Sequence, residues 1–226
     1  MSWAEDNYNS AIINLVDAQF RALDYEDSLA NLDLLWKQLD QKIDEKGSLW
    51  ILARNLYDQE LLAVPFDLAH RIRSLTRFRL RDIWTVYREL PSPDSKFLAP
   101  AHFLVLFMVK RTNTYYFDKD SIREPHVFKD LEWGKRKVGK SGYSNKMKKR
   151  YSSKGRDPGN VFYKTSRNSE GYVIAVNGYT DNELYEKLLR VSTRKGWVVA
   201  SNVSDPSFKN LVERLGRRLV HLEMTK

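Results

Sequence analysis

The 226-residue chain contains no cysteine, which excludes disulfides, thiolate metal sites and a cysteine nucleophile, and favours a reducing cytoplasm. Its longest apolar run, residues 103–109, has seven residues, far fewer than the roughly 20 that span a bilayer. The polar first ten residues do not resemble a secretory signal. The four histidines lack the spacing of metal ligands: His70, His102, His126 and His221. We therefore expect a cytoplasmic protein without a metal ion or a membrane partner.

Hydrophobic residues make up 42% of the chain, enough for a substantial core, so disorder of the whole chain is excluded. Apolar runs of strand length alternate with segments of helical periodicity, which predicts an α/β fold with a mostly parallel sheet between two helical layers. Lys46 and Gly47 follow one helical segment and predict its C-terminus. The strands are predicted at 11–16, 48–53, 80–87, 102–109, 197–200 and 219–222, and the helices at 29–43, 61–75, 183–191 and 206–215.

The net charge of +9 is concentrated in one part of the chain. Residues 129–167 contain thirteen basic and three acidic residues, a net charge of +10, so the rest of the chain sums to −1. A near-neutral body with one strongly basic segment is typical of proteins that bind a polyanion. We call residues 111–180, which show no sustained periodicity, the insert. The expected division is a core first part (1–110), the insert, and a core second part (181–226).

Aromatic residues are interleaved with the charges of the insert, which favours nucleic-acid binding over a solvated loop without a partner. If six of its cations met phosphates, affinity would fall with salt at a slope of roughly −5. The predicted nucleic-acid-binding residues are Lys135, Arg136, Lys137, Lys140, Tyr143, Lys146, Lys148, Lys149, Arg150, Tyr151, Lys154 and Arg156.

Several short sequence motifs occur in the same order as in one known protein family. An apolar strand leads into Asp17-Ala18-Gln19-Phe20, and Gly196-Trp197-Val198-Val199 lies near the end. Between them stand Tyr115-Tyr116-Phe117-Asp118, Ile122-Arg123-Glu124-Pro125-His126 and Lys154-Gly155-Arg156-Asp157-Pro158-Gly159-Asn160-Val161-Phe162. Together they resemble the bacterial and phage DNA methyltransferases that modify exocyclic amino groups (cytosine-N4 or adenine-N6), in circularly permuted order. The resemblance covers nearly the whole chain.

This resemblance implies a Rossmann-like, S-adenosylmethionine-dependent methyltransferase sheet, which we expect to be truncated at both ends, with the insert as target-recognition region. It implies that Asp17 orients the target amino group and that Phe20 stacks on the flipped base. If cofactor binding is retained, it assigns Asn202 to the cofactor loop and Glu223 to the ribose. The implied partner is double-stranded DNA.

Two departures from the family pattern affect its expected activity. Ala18 and Gln19 replace the two prolines that make the catalytic loop rigid. The cofactor loop, 200–208, contains none of the glycines that allow the backbone to approach a ligand closely. We therefore expect a non-catalytic recognition or partner subunit with no cofactor, paired with another protein or with itself. The alternative is an active methyltransferase, in which a partner chain could complete the site.

Two other polar groups have the residue types of a functional site. Asp118 and Asp120 could form a metal pair, but their context favours turn residues. Arg123, Glu124 and His126 form a polar cluster in sequence, and the family resemblance implies that this segment is a structural lead-in to the recognition region. We therefore expect neither group to bind a metal ion or to take part in catalysis.

Overall fold

A computed structural model describes residues 7–18, 20, 22–57, 60–90, 96, 98–126, 132–133, 149–150, 152–170 and 172–223. Its strands are β1 (Tyr8–Asn14), β2 (Ile43–Ala53), β3 (Leu56–Tyr57), β4 (Leu61–Leu62), β5 (Arg79–Tyr87), β6 (His102–Val109), β7 (Glu132–Trp133), β8 (Lys149–Arg150), β9 (Val161–Phe162), β10 (Lys164–Arg167), β11 (Val173–Asn177), β12 (Val198–Ser201) and β13 (Arg218–His221). Its α-helices are α1 (Tyr25–Ala30), α2 (Asp33–Lys42), α3 (Val64–Leu75), α4 (Asp181–Ser192) and α5 (Pro206–Arg214).

One seven-stranded sheet organises the molecule, in the order β13-β12-β1-β2-β6-β5-β9. Strand β6 runs antiparallel to both of its neighbours, and the other pairings in this sheet are parallel. The central strands are almost entirely buried, as expected for a sheet covered on both faces. The predicted three-layer α/β fold with a mostly parallel sheet is confirmed.

The two faces of the sheet carry separate cores. On one face, α1, α2 and α3 pack around the buried Trp36, Leu68 and Phe78. On the other face, α4 and α5 pack over the ring stack of Trp50 and Phe107, whose centroids are 4.2 Å apart. This second face also receives side chains from the insert. No helix within the described part of the chain is long and apolar enough to cross a membrane.

The insert is connected to the sheet at its C-terminal side. Strand β9 adds to the sheet edge beside β5, and Phe162 is buried against Trp84 with a centroid distance of 4.7 Å. Strands β10 and β11 form a separate antiparallel hairpin in which every residue of β11 is exposed. The backbone pairing of β7 with β8 joins two stretches farther inside the insert. The proposed domain division stays a prediction.

The predicted helix ending at Lys46 and Gly47 is wrong in its C-terminal part. The chain forms two helices, α1 and α2, and β2 already begins at Ile43, so both residues lie in a strand. Gly47 is required there by close packing, because a Cβ at this position would lie 2.6 Å from the carbonyl oxygen of Asn9 and 2.6 Å from Cγ2 of Ile43.

We expect Gly47→Ala to lower the free energy of unfolding by about 1–3 kcal/mol, because the added methyl group overlaps the backbone of β1. Chemical denaturation monitored by circular dichroism measures the change. Lys46→Ala is the control, since the neighbouring side chain is exposed on the same strand. Equal stability of the two variants would contradict the close approach of β1 to Gly47.

Candidate functional site

A crevice opens where the chain connections reverse direction. Strands β1 and β12 are parallel neighbours, but β1 continues through α1 and α2 to β2, whereas β12 continues through α5 to β13 on its other side. These helices lie on opposite faces of the sheet. In open α/β sheets, ligands bind outside the carboxyl ends of the strands at such a switch point. The carboxyl ends of β1 and β12 therefore define the first candidate site.

Two asparagines connect these strand ends. The side chain of Asn202 accepts a hydrogen bond from the backbone N–H of Asn14 at 2.8 Å and donates one to the Asn14 carbonyl at 2.8 Å. The side chain of Asn14 in turn donates to the hydroxyl of Tyr185 at 2.8 Å and accepts from the N–H of Val16 at 2.9 Å. The amide of Asn202 thus extends the pairing of β1 with β12 by one residue.

A pocket of about 450 Å³ lies above this junction, within the range of small-molecule sites. Three exposed carboxylates contribute to its wall, and no lysine or arginine is among the described residues that line it. One of them, Asp181, forms an ion pair with Arg88. The carboxylates of the described lining are therefore compatible with a cation. It is lined by Asn14, Leu15, Asp17, Ala18, Asp181, Tyr185, Asn202, Val203, Ser204 and Asp205.

The phenol of Tyr185 lies at the inner wall of the pocket. Burial and the nearby carboxylate of Asp181 raise its pKa to about 12, although the hydrogen bond from Asn14 acts in the opposite direction. Its ring packs edge-on against Phe208 of α5, with a centroid distance of 4.8 Å. Tyr185 is therefore neutral at physiological pH, and its hydroxyl accepts the hydrogen bond that orients the Asn14 side chain.

The four residues assigned to catalysis and cofactor binding lie at the same edge of the sheet but do not all meet. Asp17 and Asn202 line the pocket together. Phe20 is half-buried against the first core, with its ring 6.2 Å from that of Tyr25, and Glu223 is exposed just after β13. Both are described residues, and neither lines the pocket. Their assigned roles stay predictions.

The residues of this crevice do not match the cofactor cradle that the family resemblance implies. The loop between β12 and α5, residues 202–205, has a side chain at every position, and the amide of Asn202 is already bound to the backbone of Asn14. At its other end, Asp205 accepts a hydrogen bond from the N–H of Ser207 at 2.8 Å and caps α5. The loop contains no glycine, so a side chain at every position keeps its backbone from approaching a ligand closely.

We expect Asn202→Ala to lower the free energy of unfolding by about 1–3 kcal/mol, because two backbone groups of Asn14 lose their partner. Thermal and denaturant unfolding measure the loss. Asn182→Ala serves as the control, since Asn182 is exposed and its amide exchanges hydrogen bonds with the hydroxyl of Ser207 on α5. An Asn202→Ala chain as stable as the control would show that the amide does not join the two strands.

A second candidate site lies at the β-bridge between Glu124 and Arg156, which we call the base of the insert. Of the twelve predicted nucleic-acid-binding side chains, ten lie outside the part that the structure describes. For two of these ten, Lys149 and Arg150, the backbone is described as strand β8. The two described side chains are held in ion pairs: Lys154 Nζ lies 2.7 Å from Asp120 Oδ2, and Arg156 pairs with Glu124. Their assignment to nucleic-acid binding stays a prediction.

Glu124 joins the insert to the core. Its backbone exchanges two hydrogen bonds with Arg156, with N···O distances of 3.1 and 2.7 Å. Its carboxylate accepts bonds from Tyr179 and from Lys187, the latter at 3.2 Å. Burial opposes ionisation of Glu124, but these bonds outweigh it and lower its pKa. These contacts give Glu124 a structural role, and the implied lead-in to the recognition region stays a prediction.

Asp118 and Asp120 have separate structural roles. The carboxylate of Asp118 accepts a hydrogen bond from the N–H of Ser121 at 3.3 Å and caps a short 3-10 helix. Asp120 instead pairs with Arg123 and Lys154. Across the described part of the chain, no cluster of three histidine, aspartate or glutamate side chains is arranged to hold a metal ion.

The fold defined by this sheet is that of the DNA modification methyltransferases, as the sequence resemblance predicted. PvuII DNA methyltransferase, which is cytosine-N4-specific, is 15% identical and superimposes with a TM-score of 0.65 over 99% of this chain and 77% of its own. TTHA0409 from Thermus thermophilus, described as a DNA modification methylase, is 16% identical with a TM-score of 0.62 over 99% and 84%. The M1.HpyAVI–SAM complex is 12% identical, with a TM-score of 0.52 over 97% and 84%.

No protein-family model and no curated protein matches the sequence. At identities of 12–16%, the structural likeness establishes the fold alone. What this chain binds must therefore be argued from its own residues.

Proposed function

We propose that this protein binds double-stranded DNA through its insert, in the cytoplasm, and that it does not transfer methyl groups. The observation that carries the proposal is the charge distribution: a net charge of +10 lies within 39 consecutive residues, 129–167, of an otherwise near-neutral chain. Concentrated lysine and arginine neutralise phosphates, and this term dominates binding that is independent of sequence.

A backbone contact inside the insert brackets most of its basic residues. Glu124 and Arg156 pair as an isolated β-bridge, with N···O distances of 3.1 and 2.7 Å, so the two flanks of the segment between them are fixed to each other. The aromatic rings of Phe162 and Tyr179 anchor this point to the second core, 6.1 Å apart by centroid. Fold likeness to DNA modification methylases is consistent with duplex DNA as the polymer.

Two losses support the absence of methyl transfer. The catalytic segment retains Asp17 and Phe20 without the intervening prolines, and Phe20 packs against the core rather than lining the pocket. The cofactor loop has no glycine, and the amide of Asn202 is bound to Asn14. Enzymes lower barriers by at least about 8 kcal/mol, much of it through positioning, and both partners of the reaction would be positioned poorly here.

One observation favours the alternative, an active amino-group methyltransferase. The pocket beside Asp17 is walled by three carboxylates, which suit a ligand carrying positive charge such as the sulfonium and amine of S-adenosylmethionine. In that case Asp17 would orient the target amine. A protein partner or a second copy that completes the site belongs to this alternative as well.

Fluorescence anisotropy with a labelled duplex, measured from 50 to 200 mM salt, tests the DNA-binding proposal. We expect a logarithmic salt slope of roughly −5, corresponding to about six phosphate contacts. An unlabelled duplex of unrelated sequence, added as competitor, separates sequence-specific from general affinity. Absence of binding at the lowest salt concentration would overturn the proposal.

A further inference from the structure

A network of ion pairs at the protein surface flanks the most basic part of the insert in sequence. We call the five residues Lys119, Asp120, Arg123, Lys154 and Asp157 the ion-pair surface. Lys119 pairs with Asp157, while Asp120 pairs with both Arg123 and Lys154. Three cations and two carboxylates leave this surface with a net charge of +1.

The geometry at Asp120 resembles the way in which a phosphate is bound. One carboxylate oxygen accepts from Arg123 Nε at 2.6 Å, and the other accepts from Lys154 Nζ at 2.7 Å. Arginine and lysine bind two oxygens of a phosphate in the same manner. Hydrogen bonds from Lys154 and then Arg123 lower the pKa of Asp120 to about 2, so it is ionised at physiological pH.

Exposure distinguishes Asp120 from the neighbouring Glu124. The Asp120 side chain is 47% exposed and that of Lys154 67%, and ion pairs this accessible are weak in water and screened by salt. Glu124 is only 17% exposed and holds three partners, which makes it part of the architecture. Arg123 is 25% exposed and also donates to the Gly155 carbonyl at 3.1 Å, so this second bond can hold its side chain when a polyanion displaces Asp120.

We propose that Asp120 competes with DNA phosphate for Arg123 and Lys154, and that these two cations exchange the carboxylate for the DNA backbone when a duplex binds. This inference rests on the proposed DNA-binding function, and it adds Arg123, which lies outside residues 129–167, to the predicted DNA contacts. Asp120 then lowers the affinity of the protein for DNA. Only a polyanion of high charge density, such as a DNA duplex, displaces its carboxylate.

The test is Asp120→Asn in the full chain, with duplex affinity measured by anisotropy across salt concentrations. We expect affinity at 50 mM salt to rise by about five-fold and the salt slope to steepen by about 1 to 2, because two cations become available for phosphate. Glu26→Gln is the matched control: it removes the same charge from an 81% exposed carboxylate that pairs with Arg71 on the opposite face of the sheet. This control should change affinity by less than about two-fold.

A second variant distinguishes exchange of the ion-pair partner of Lys154 from a general loss of repulsion between the Asp120 carboxylate and DNA. Adding Lys154→Ala to Asp120→Asn should abolish most of the gain in affinity and in slope, whereas loss of repulsion alone would preserve it. Melting temperatures of all variants show whether the base of the insert stays folded. Unchanged or weaker binding by Asp120→Asn, with wild-type protein that does bind DNA, overturns this inference alone. Wild-type protein that fails to bind overturns the proposed function instead.

Discussion

Replacing the six basic residues of segment 134–148 by glutamine should reduce affinity for duplex DNA by about 10²- to 10³-fold at 50 mM salt. This segment contains no acidic residue, so each of its cations is available to a phosphate without an acidic neighbour in sequence. The salt slope should become much shallower, because fewer counterions are released. Anisotropy titrations at several salt concentrations measure both quantities. The substituted residues are Lys135, Arg136, Lys137, Lys140, Lys146 and Lys148.

A second variant with the same net charge as the first distinguishes contacts made by segment 134–148 from general electrostatic attraction. It carries six glutamines at exposed basic positions outside the insert: Lys37, Lys46, Arg73, Lys195, Lys209 and Arg214. Its salt slope should remain close to that of the wild type. The smaller variant Lys148→Ala, Lys149→Ala, Arg150→Ala should weaken binding and flatten the slope in part. Equal slopes for the wild type and the insert variants would show that this segment does not touch phosphate.

The second prediction concerns methyl transfer, where the two candidate functions differ most in the expected result for Asp17→Ala. With duplex DNA and labelled S-adenosylmethionine, we expect label incorporation at background for the wild type and no change for Asp17→Ala. If the alternative function is correct, the wild type transfers label and Asp17→Ala loses activity by about 100-fold or more, since misplacing a reacting group has an effect of that size. DNA affinity, measured on the same samples, shows that both proteins are folded and competent to bind.

The order of the main elements could be predicted because strands and helices here have clear periodicity. The run at 102–109, for example, is strand β6 as expected. Its antiparallel direction was not predictable from periodicity, since a buried strand reads the same in either direction. The error at Lys46 and Gly47 arose because a lysine–glycine pair is typical of a helix end, while the close contact of Gly47 with Asn9 is visible only in three dimensions.

The candidate site was predictable only in part. Asp17 and Asn202 follow two strands that prove to be adjacent, so their meeting in one pocket agrees with the motif order. The contributions of Asn14 and Tyr185 were missed, although an asparagine at a strand end was a usable signal. The pairing of Lys154 with Asp120 joins residues 34 positions apart, and a count of charges carries no information about such partners.

The most direct test of the central claim is a calorimetric titration of the purified chain with S-adenosylmethionine, first alone and then with saturating duplex DNA. We predict binding of the duplex and no heat from the cofactor in either state, because the loop at 202–205 has no glycine and Asn202 is bound to Asn14. Micromolar binding of the cofactor in either state, followed by label transfer that depends on Asp17, would contradict the account and establish an active methyltransferase.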